Sequence, residues 1–175
     1  MLSKNTGNDF EYGHNPYVEY DNIENEKPRL FKDEVDSRLP AMERIVDLTI
    51  SGKHKIYKLS TVGEMGVLND TFEGENVVIF YTDKVVSVLD SADITKSKKI
   101  GAVTAFESEI DGKKLTFYKK KGNFIDVETR SIWNMKGECI RGDFRGKYLR
   151  MINHGQHFAF AMLSFHPDCK IYSEE

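Results

Sequence analysis

Four side chains that can bind metals lie close together near the C-terminus. His154 and His157 are three residues apart, and His166 and Cys169 repeat that spacing. Two such pairs can offer nitrogen and sulfur ligands to one ion, for which Zn is suitable and Cu is conceivable. A helix of about nine residues between the pairs would hold them about 13 Å apart. We therefore expect no bound metal and no cofactor, with Zn or Cu as the alternative.

A second group of side chains could transfer protons. His157 would act as a general base with Asp126 or Glu128 as its partner, in a pocket near Trp133 and Tyr17. Histidine and a carboxylate are the common pair for this chemistry. Nothing in the spacing requires the arrangement, and the sequence has no serine elbow, phosphate-binding loop or dinucleotide-binding fingerprint. Structural roles for the two carboxylates are therefore favoured.

The two cysteines leave two alternatives open. Cys139 and Cys169 are far apart in the sequence and form no Cys-x-x-Cys pair. They could form a disulfide in an oxidising compartment, whereas two buried free thiols are the simpler interpretation.

The elements that would position these residues are mostly strands. Between Asp111 and Leu149, short apolar runs alternate with glycine-containing turns, which is typical of an antiparallel meander. Asp111-Gly112 suits a tight hairpin turn because both positions tolerate a positive φ. Trp133 is the only tryptophan and lies where these strands meet. We expect it in the core, with its indole N–H bonded to a backbone carbonyl or near Asn134.

The rest of the chain extends this pattern. Residues 44–59 alternate as a hairpin whose turn would expose His54, and residues 60–64 resemble a capping box over one short helical turn. Residues 77–81 are continuously apolar and predict a central strand buried on both faces. Residues 157–165 keep helical spacing. The predicted fold is mainly β (α+β), an antiparallel meander or partly closed barrel or roll with one C-terminal helix.

The first forty residues are polar and irregular, but they contain several aromatic side chains. We expect residues 1–40 to wrap along the domain, with a turn at residues 12–17 and with the tyrosines as contacts. Residues 41–175 would form a single β-rich domain. Asp21 to Glu26 lacks the spacing of a calcium-binding loop, so a solvated acidic loop is favoured there.

Composition excludes several function classes. The chain of 175 residues has a net charge of −3, 30% charged residues and a mean hydropathy of −0.50, which describe a soluble protein. The missing basic excess argues against nucleic acid as a partner. No run approaches the roughly 20 apolar residues that span a membrane, and no apolar signal segment follows Met1. The expected partner is a small molecule or a protein.

One predicted hairpin carries a concentration of lysines. They stand at positions 113, 114, 119, 120 and 121, interleaved with aromatic residues. A basic ribbon of this kind could bind phosphates or single strands. Lysine also protects exposed strands against edge-to-edge pairing, and we favour that role.

Taken together, the motifs resemble one protein family. The resemblance covers nearly all of the chain from Gly7 onward. It rests on Gly13-x-Asn15-Pro16-Tyr17, Arg38-Leu39-Pro40-x-Met42-Glu43-Arg44, Asn69-Asp70-x-x-x-Gly74, Asp126-x-Glu128-Thr129-x-Ser131-x-Trp133-Asn134 and His157-Phe158-x-Phe160-Ala161. This set resembles the bacterial and archaeal domain of unknown function three-one-seven-nine, some of whose members are named (seleno)proteins.

The resemblance implies a fold but no activity. Thiol-bearing members have a Cys-Pro-x-Cys motif after the central apolar strand, whereas this chain has Thr82-Asp83-Lys84-Val85 there. The chain therefore resembles a thiol-free branch, in which this position cannot perform thiolate redox chemistry. Many members are exported or lipid-anchored, which implies an extracytoplasmic location, with the cytoplasm as the alternative. We expect a non-catalytic binding or accessory module, and the alternative is an enzyme or metal-binding protein that uses His157.

Overall fold

Strands supply most of the regular structure. The computed structural model describes residues 5, 7, 15 and 17–173. Its strands are β1 (Arg44–Ile50), β2 (Lys53–Lys58), β3 (Val67–Phe72), β4 (Glu75–Thr82), β5 (Ala102–Glu107), β6 (Glu109–Ile110), β7 (Lys113–Lys114), β8 (Phe117–Lys120), β9 (Asn123–Asp126), β10 (Ile132–Trp133), β11 (Cys139–Arg141), β12 (Asn153–Phe158) and β13 (Lys170–Ile171). Its helices are α1 (Leu59–Met65), α2 (Ala159–Phe165) and a 3-10 helix at Ile94–Lys96. The mainly β fold class is confirmed.

The first sheet joins distant parts of the chain. Its strand order is β12-β1-β2-β13, so the strands nearest the C-terminus lie on both sides of the first hairpin. β13 runs parallel to β2, and the other neighbours are antiparallel. Because side chains alternate along a strand, β1 sends Val46 and Leu48 to one core and Ile45 to another.

The other sheets follow chain order. β4 is the middle strand of the sheet β3-β4-β5, and the side chains of Val77 to Phe80 are fully buried, which confirms the predicted central strand. β8 to β11 form the predicted meander. The β6–β7 hairpin turns at Asp111 and Gly112, which both have a positive φ, as the sequence indicated.

Three apolar clusters join these layers. One lies between the β1 sheet and the β4 sheet and includes residues of α1. Another lies between the β4 sheet and the meander, around Trp133. The last lies between the β1 sheet and α2. The sheets therefore stack and do not close into a barrel, because the two faces of the β4 sheet pack against different layers.

The helices differ in extent from the sequence prediction. α1 covers seven residues where one turn was predicted, and Gly66 ends it in the left-handed conformation. α2 begins at Ala159, and His157 lies in β12 instead of in the helix. The N–H of Ala159 donates to the carbonyl of Glu43 at 2.8 Å, and the next N–H donates to the carbonyl of Ala41 at 3.0 Å. These bonds satisfy the first N–H groups of α2, and pairing with β1 keeps the chain extended up to Phe158. No described helix is long and apolar enough to cross a membrane.

The N-terminal segment contacts the sheets where the structure describes it. Asn15 donates a hydrogen bond to the carbonyl of Val88 at 2.8 Å, and the Tyr20 ring meets the Phe158 ring at 6.2 Å. Tyr17 is 54% exposed and serves less as an anchor than predicted. Of the expected turn at residues 12–17, residues 12–14 and 16 lie outside the described residues, and so does the contact expected of Tyr12.

Candidate functional site

An open cleft of about 490 Å³ lies where the β1 sheet meets the β4 sheet. Residues 42–44 at the start of β1 form its floor, and α1 forms one wall. Tyr81 near the end of β4 and residues 98–100 complete it. We call it the Glu43 cleft. Its size falls within the range of about 300–1,000 Å³ that is usual for small-molecule sites.

The carboxyl group of Glu43 is the unusual feature of this cleft. Its backbone is fixed, because the Glu43 N–H donates to Pro40 and its carbonyl accepts from Ala159. The side chain is half-buried and accepts no hydrogen bond from any described residue. Burial raises the pKa of Glu43, although the charge of Lys58 opposes the shift. A carboxyl group without a partner in a cleft is a typical ligand-binding group.

Tyr81 stands opposite because two glycines make room for its ring. A Cβ atom at Gly63 of α1 would lie 3.1 Å from the ring, and one at Gly101 would overlap it. Gly101 also has a φ of +76°, which favours glycine. Burial raises the pKa of Tyr81, so its hydroxyl keeps its proton at neutral pH and can donate a hydrogen bond.

A buried ion-pair network closes one end of the cleft. The Asp21 carboxylate accepts hydrogen bonds from Arg44 and Ser87, both at 2.6 Å, and Lys98 Nζ lies 2.9 Å from its Oδ1. Burial alone would raise the pKa of Asp21, but these donors hold it below its usual value. Asp21 is therefore buried and charged, which corrects the predicted solvated loop at this position.

The charge balance of the cleft follows from this network. Arg44 and Lys98 are already paired with Asp21, and Lys99 lies 3.9 Å from Asp83. Glu43 and Glu64 have no ion pair with any described residue. The unpaired charges that face the cleft are therefore acidic, and they favour a ligand with a positive charge.

Asp126 is placed in the core, where it organises the meander. Its Oδ1 accepts hydrogen bonds from the N–H and hydroxyl of Thr129 at 2.6 and 2.7 Å. Its Oδ2 accepts the indole N–H of Trp133 at 2.9 Å, so that donor does not bind a backbone carbonyl as predicted. Trp133 is buried as expected. Glu128 is exposed and accepts a hydrogen bond from the N–H of Thr116 at 2.9 Å.

His157 lies in β12, whereas Asp126 ends β9 and Glu128 lies in the turn that follows, and no hydrogen bond among the described residues joins His157 to either. It stands opposite Ile45 in the β1–β12 pair and is exposed. Its ring lies over Gly155, where a Cβ atom would overlap it. The structure therefore does not bring these three residues together.

The four potential metal ligands are also separated. His154 and His157 are three residues apart on a strand, so they face opposite sides of the sheet. His154 Nδ1 lies 2.7 Å from the carbonyl of Ile152. His166 follows α2, and burial raises the pKa of Cys169. Among the described residues, no three His, Cys, Asp or Glu side chains are placed to hold a metal ion.

His54 and His166 form a cluster that the spacing of residues in the sequence did not reveal. His54 lies in β2 and not in the turn, with Nδ1 3.0 Å from Oδ2 of the buried Asp47. Thr49 also donates to Asp47 at 3.1 Å, and the His166 ring stacks on His54 with centroids 3.7 Å apart. The signal available in the sequence was a carboxylate between the apolar residues Val46 and Leu48 of β1, because a buried carboxylate requires a partner.

Comparisons with known proteins extend the family resemblance but give no activity. The model of a family described as "Protein of unknown function (DUF3179)" matches residues 1–169. No curated protein matches the chain. No solved structure matches it either.

Proposed function

The chain belongs to the DUF3179 family, and from this premise we propose that it is a non-catalytic binding module for a small cationic molecule. The ligand would occupy the Glu43 cleft. Its ammonium or guanidinium group would pair with Glu43, and the Tyr81 hydroxyl would donate to an acceptor on the same molecule.

The observation that carries this proposal is the unpartnered, half-buried carboxyl of Glu43. The cleft partly desolvates this group, and no described residue donates a hydrogen bond to it in return. A bound cation would restore the charged form, because an opposite charge within about 4–6 Å favours ionisation. The charge of Lys58 offsets this cost only in part, and Arg44 and Lys98 are paired with Asp21.

The finer family assignment is also a proposal. We infer that the chain belongs to a thiol-free branch, since Thr82-Asp83-Lys84-Val85 replaces the expected thiol motif after β4. In that branch the protein would act as an accessory module outside the cytoplasm. Ligand binding, and not thiol redox chemistry, would be its contribution.

Binding of matched probes tests the cleft. Isothermal titration would compare putrescine, butanediol and succinate, which share a four-carbon chain and differ in charge. We expect putrescine to bind and the neutral and anionic probes not to bind. Glu43→Gln should abolish the binding, because it removes the charge and changes the shape little.

Glu109→Gln is the control, since Glu109 is an exposed carboxylate of β6 that lies outside the cleft. This variant should bind putrescine like the unaltered chain. Equal binding of all three probes, or unchanged binding by Glu43→Gln, would contradict the proposal. Tyr81→Phe should weaken binding of arginine, which carries an acceptor group, more than binding of putrescine.

A second candidate function is acid–base catalysis at His54. The hydrogen bond to buried Asp47 would fix one tautomer and leave Nε2 as the base. Hydrolysis of p-nitrophenyl acetate tests this candidate. If the protein hydrolyses it faster than free imidazole and His54→Gln loses the excess, the enzyme function is supported. If only His157→Ala loses the excess hydrolysis, His157 would instead be the general base, as the sequence suggested.

A further inference from the structure

The small net charge of the chain conceals two regions of opposite sign. Residues 113–150 contain eleven Lys and Arg against four Asp and Glu, which gives +7. The remaining residues contain fourteen basic and twenty-four acidic side chains, which gives −10. Residues 113–150 include the whole meander from β8 to β11. The positive charge is therefore concentrated on one layer at the outside of the stack.

Strand alternation defines the outer face of that layer. The inward side chains include Phe117, Phe124 and Trp133, which belong to the core beneath. The outward positions form a row across all four strands, because Tyr118 pairs with Ile125, Ile125 with Ile132, and Ile132 with Arg141. Three inter-strand steps make this row about 14 Å long.

Cations surround this row. Lys120 is the next outward residue along β8, and Arg130 donates a hydrogen bond to the Tyr118 hydroxyl at 3.0 Å. We call Tyr118, Lys120, Ile125, Arg130, Ile132 and Arg141 the basic face. Lys120 and Arg141 are exposed and make no ion pair with any described residue. Nearby Lys147 and Arg150, in contrast, are paired with Asp111 and Glu107.

We propose that the basic face binds an acidic peptide segment of a partner protein. Its apolar centre and cationic rim match the anatomy of a protein interface, in which Tyr and Arg are enriched. A peptide with alternating carboxylates and apolar side chains complements both parts. The partner's carboxylates would meet Arg141 and Lys120, and its apolar side chains would cover Ile125 and Ile132.

Two observations favour a peptide over a nucleic acid. Bases bind such surfaces by stacking on open aromatic rings, but the centre of this face is aliphatic. Its one ring, Tyr118, is partly buried, and the guanidinium of Arg130 lies at the hydroxyl end of that ring. The face therefore lacks the stacking platform that single strands require.

The partner lies across the face and does not extend the sheet. The Asn69 side chain bonds to both the N–H and the carbonyl of Phe117 at 2.8 Å, which occupies the free edge of β8. At the opposite edge, the N–H of Cys139 donates to the carbonyl of Lys147 at 2.9 Å. Both edges are thus engaged at the two ends of the row, which leaves side-chain contacts as the mode of binding.

Fluorescence anisotropy with a labelled Glu–Leu alternating peptide of about eight residues tests the proposal, since an extended peptide of about 26 Å extends past both ends of the row. We expect saturable binding that weakens as the salt rises from about 50 to about 200 mM. Lys120→Glu combined with Arg141→Glu should weaken binding about tenfold or more. Lys32→Glu combined with Lys84→Glu changes the net charge equally at exposed sites elsewhere and should have less than about a twofold effect.

Three results would contradict binding of an acidic peptide to the basic face. No binding of the peptide, or equal losses in both double variants, would overturn the proposal. So would tighter binding of oligo(dT) or of phosphatidylserine vesicles than of the peptide. Arg141→Gln is a milder variant for use if the first double variant changes the circular dichroism spectrum. It should still weaken peptide binding.

Discussion

At the scale of single residues, two carboxyl groups show how surroundings decide a role. Asp126 accepts three hydrogen bonds from Thr129 and Trp133, which are its neighbours in the chain. Such a local turn can be predicted from sequence. Glu43 receives its surroundings from α1, the end of β4 and residues 98–100. No local pattern could reveal that cleft.

The raised pKa of Glu43 makes stability depend on pH. Its ordinary value is near 4.5, and folding raises it. The folded chain therefore holds this proton more tightly than the unfolded chain, and the contribution to stability is fully present below pH 4.5. It is lost as the pH rises through the folded pKa. We expect Glu43→Gln to gain stability relative to the unaltered chain between about pH 4 and pH 7.

Urea unfolding at several pH values measures this difference. Glu109→Gln is the control, and its difference from the unaltered chain should stay nearly constant. If the difference in the free energy of unfolding between Glu43→Gln and the unaltered chain does not change with pH, folding does not raise the pKa of Glu43.

The Asp126 network predicts a second effect. Asp126→Asn replaces one accepting oxygen by a donor, so either Thr129 or the buried indole of Trp133 loses its acceptor. The expected loss is about 1–3 kcal/mol in the free energy of unfolding, measured with denaturant. Glu128→Gln is the matched control on the exposed side and should cost less than about 0.5 kcal/mol. Similar losses in both variants would contradict a structural role for Asp126.

At the scale of elements, His154 and His157 show how the type of secondary structure decides whether two side chains share a face. Three-residue spacing on a helix places His154 and His157 on the same face, whereas on β12 it places them on opposite faces. The sequence run from His157 to Phe165 is continuously compatible with helix. The start of α2 depends instead on hydrogen bonds from Ala159 and Phe160 to Glu43 and Ala41, which are distant in the chain.

The placement of these elements predicts the metal content. Elemental analysis of the purified protein should find no stoichiometric Zn or Cu. His154→Ala and Cys169→Ala should leave the result unchanged. About one metal ion per chain that disappears in either variant would instead establish a site that requires a rearranged C-terminal region.

At the scale of the whole molecule, the stacked layers explain what sequence could and could not reveal. Apolar runs and glycine-containing turns predicted the meander and the buried strand β4, because those patterns are local. Stacking in place of barrel closure depends on which layer covers each face of β4. The unequal distribution of charge along the chain could be seen in the sequence. The binding surface could not, because it depends on strand pairing that brings Tyr118, Ile125, Ile132 and Arg141 into one outward row.

The Asp21 network predicts how the N-terminal segment is attached. Asp21→Ala removes the partner of Arg44 and Lys98, which leaves the partly buried arginine without its carboxylate. We expect a loss of about 1–3 kcal/mol and faster trypsin cleavage between Arg29 and Leu30. Asp33→Ala changes an exposed carboxylate of the same segment. It should leave both the stability and the cleavage rate unchanged, and equal cleavage of the two variants would rule out the proposed anchor.

The strand order of the first sheet determines when that sheet can form during synthesis of the chain. Arg44 of β1 pairs with Phe158 of β12, and β13 closes the other side of β2. During translation, the β1–β2 hairpin leaves the ribosome long before either outer strand exists. Both its edges present unpaired backbone groups during that interval. The first sheet is therefore complete only after residue 171 has emerged, and the edges of the hairpin stay open to pairing until then.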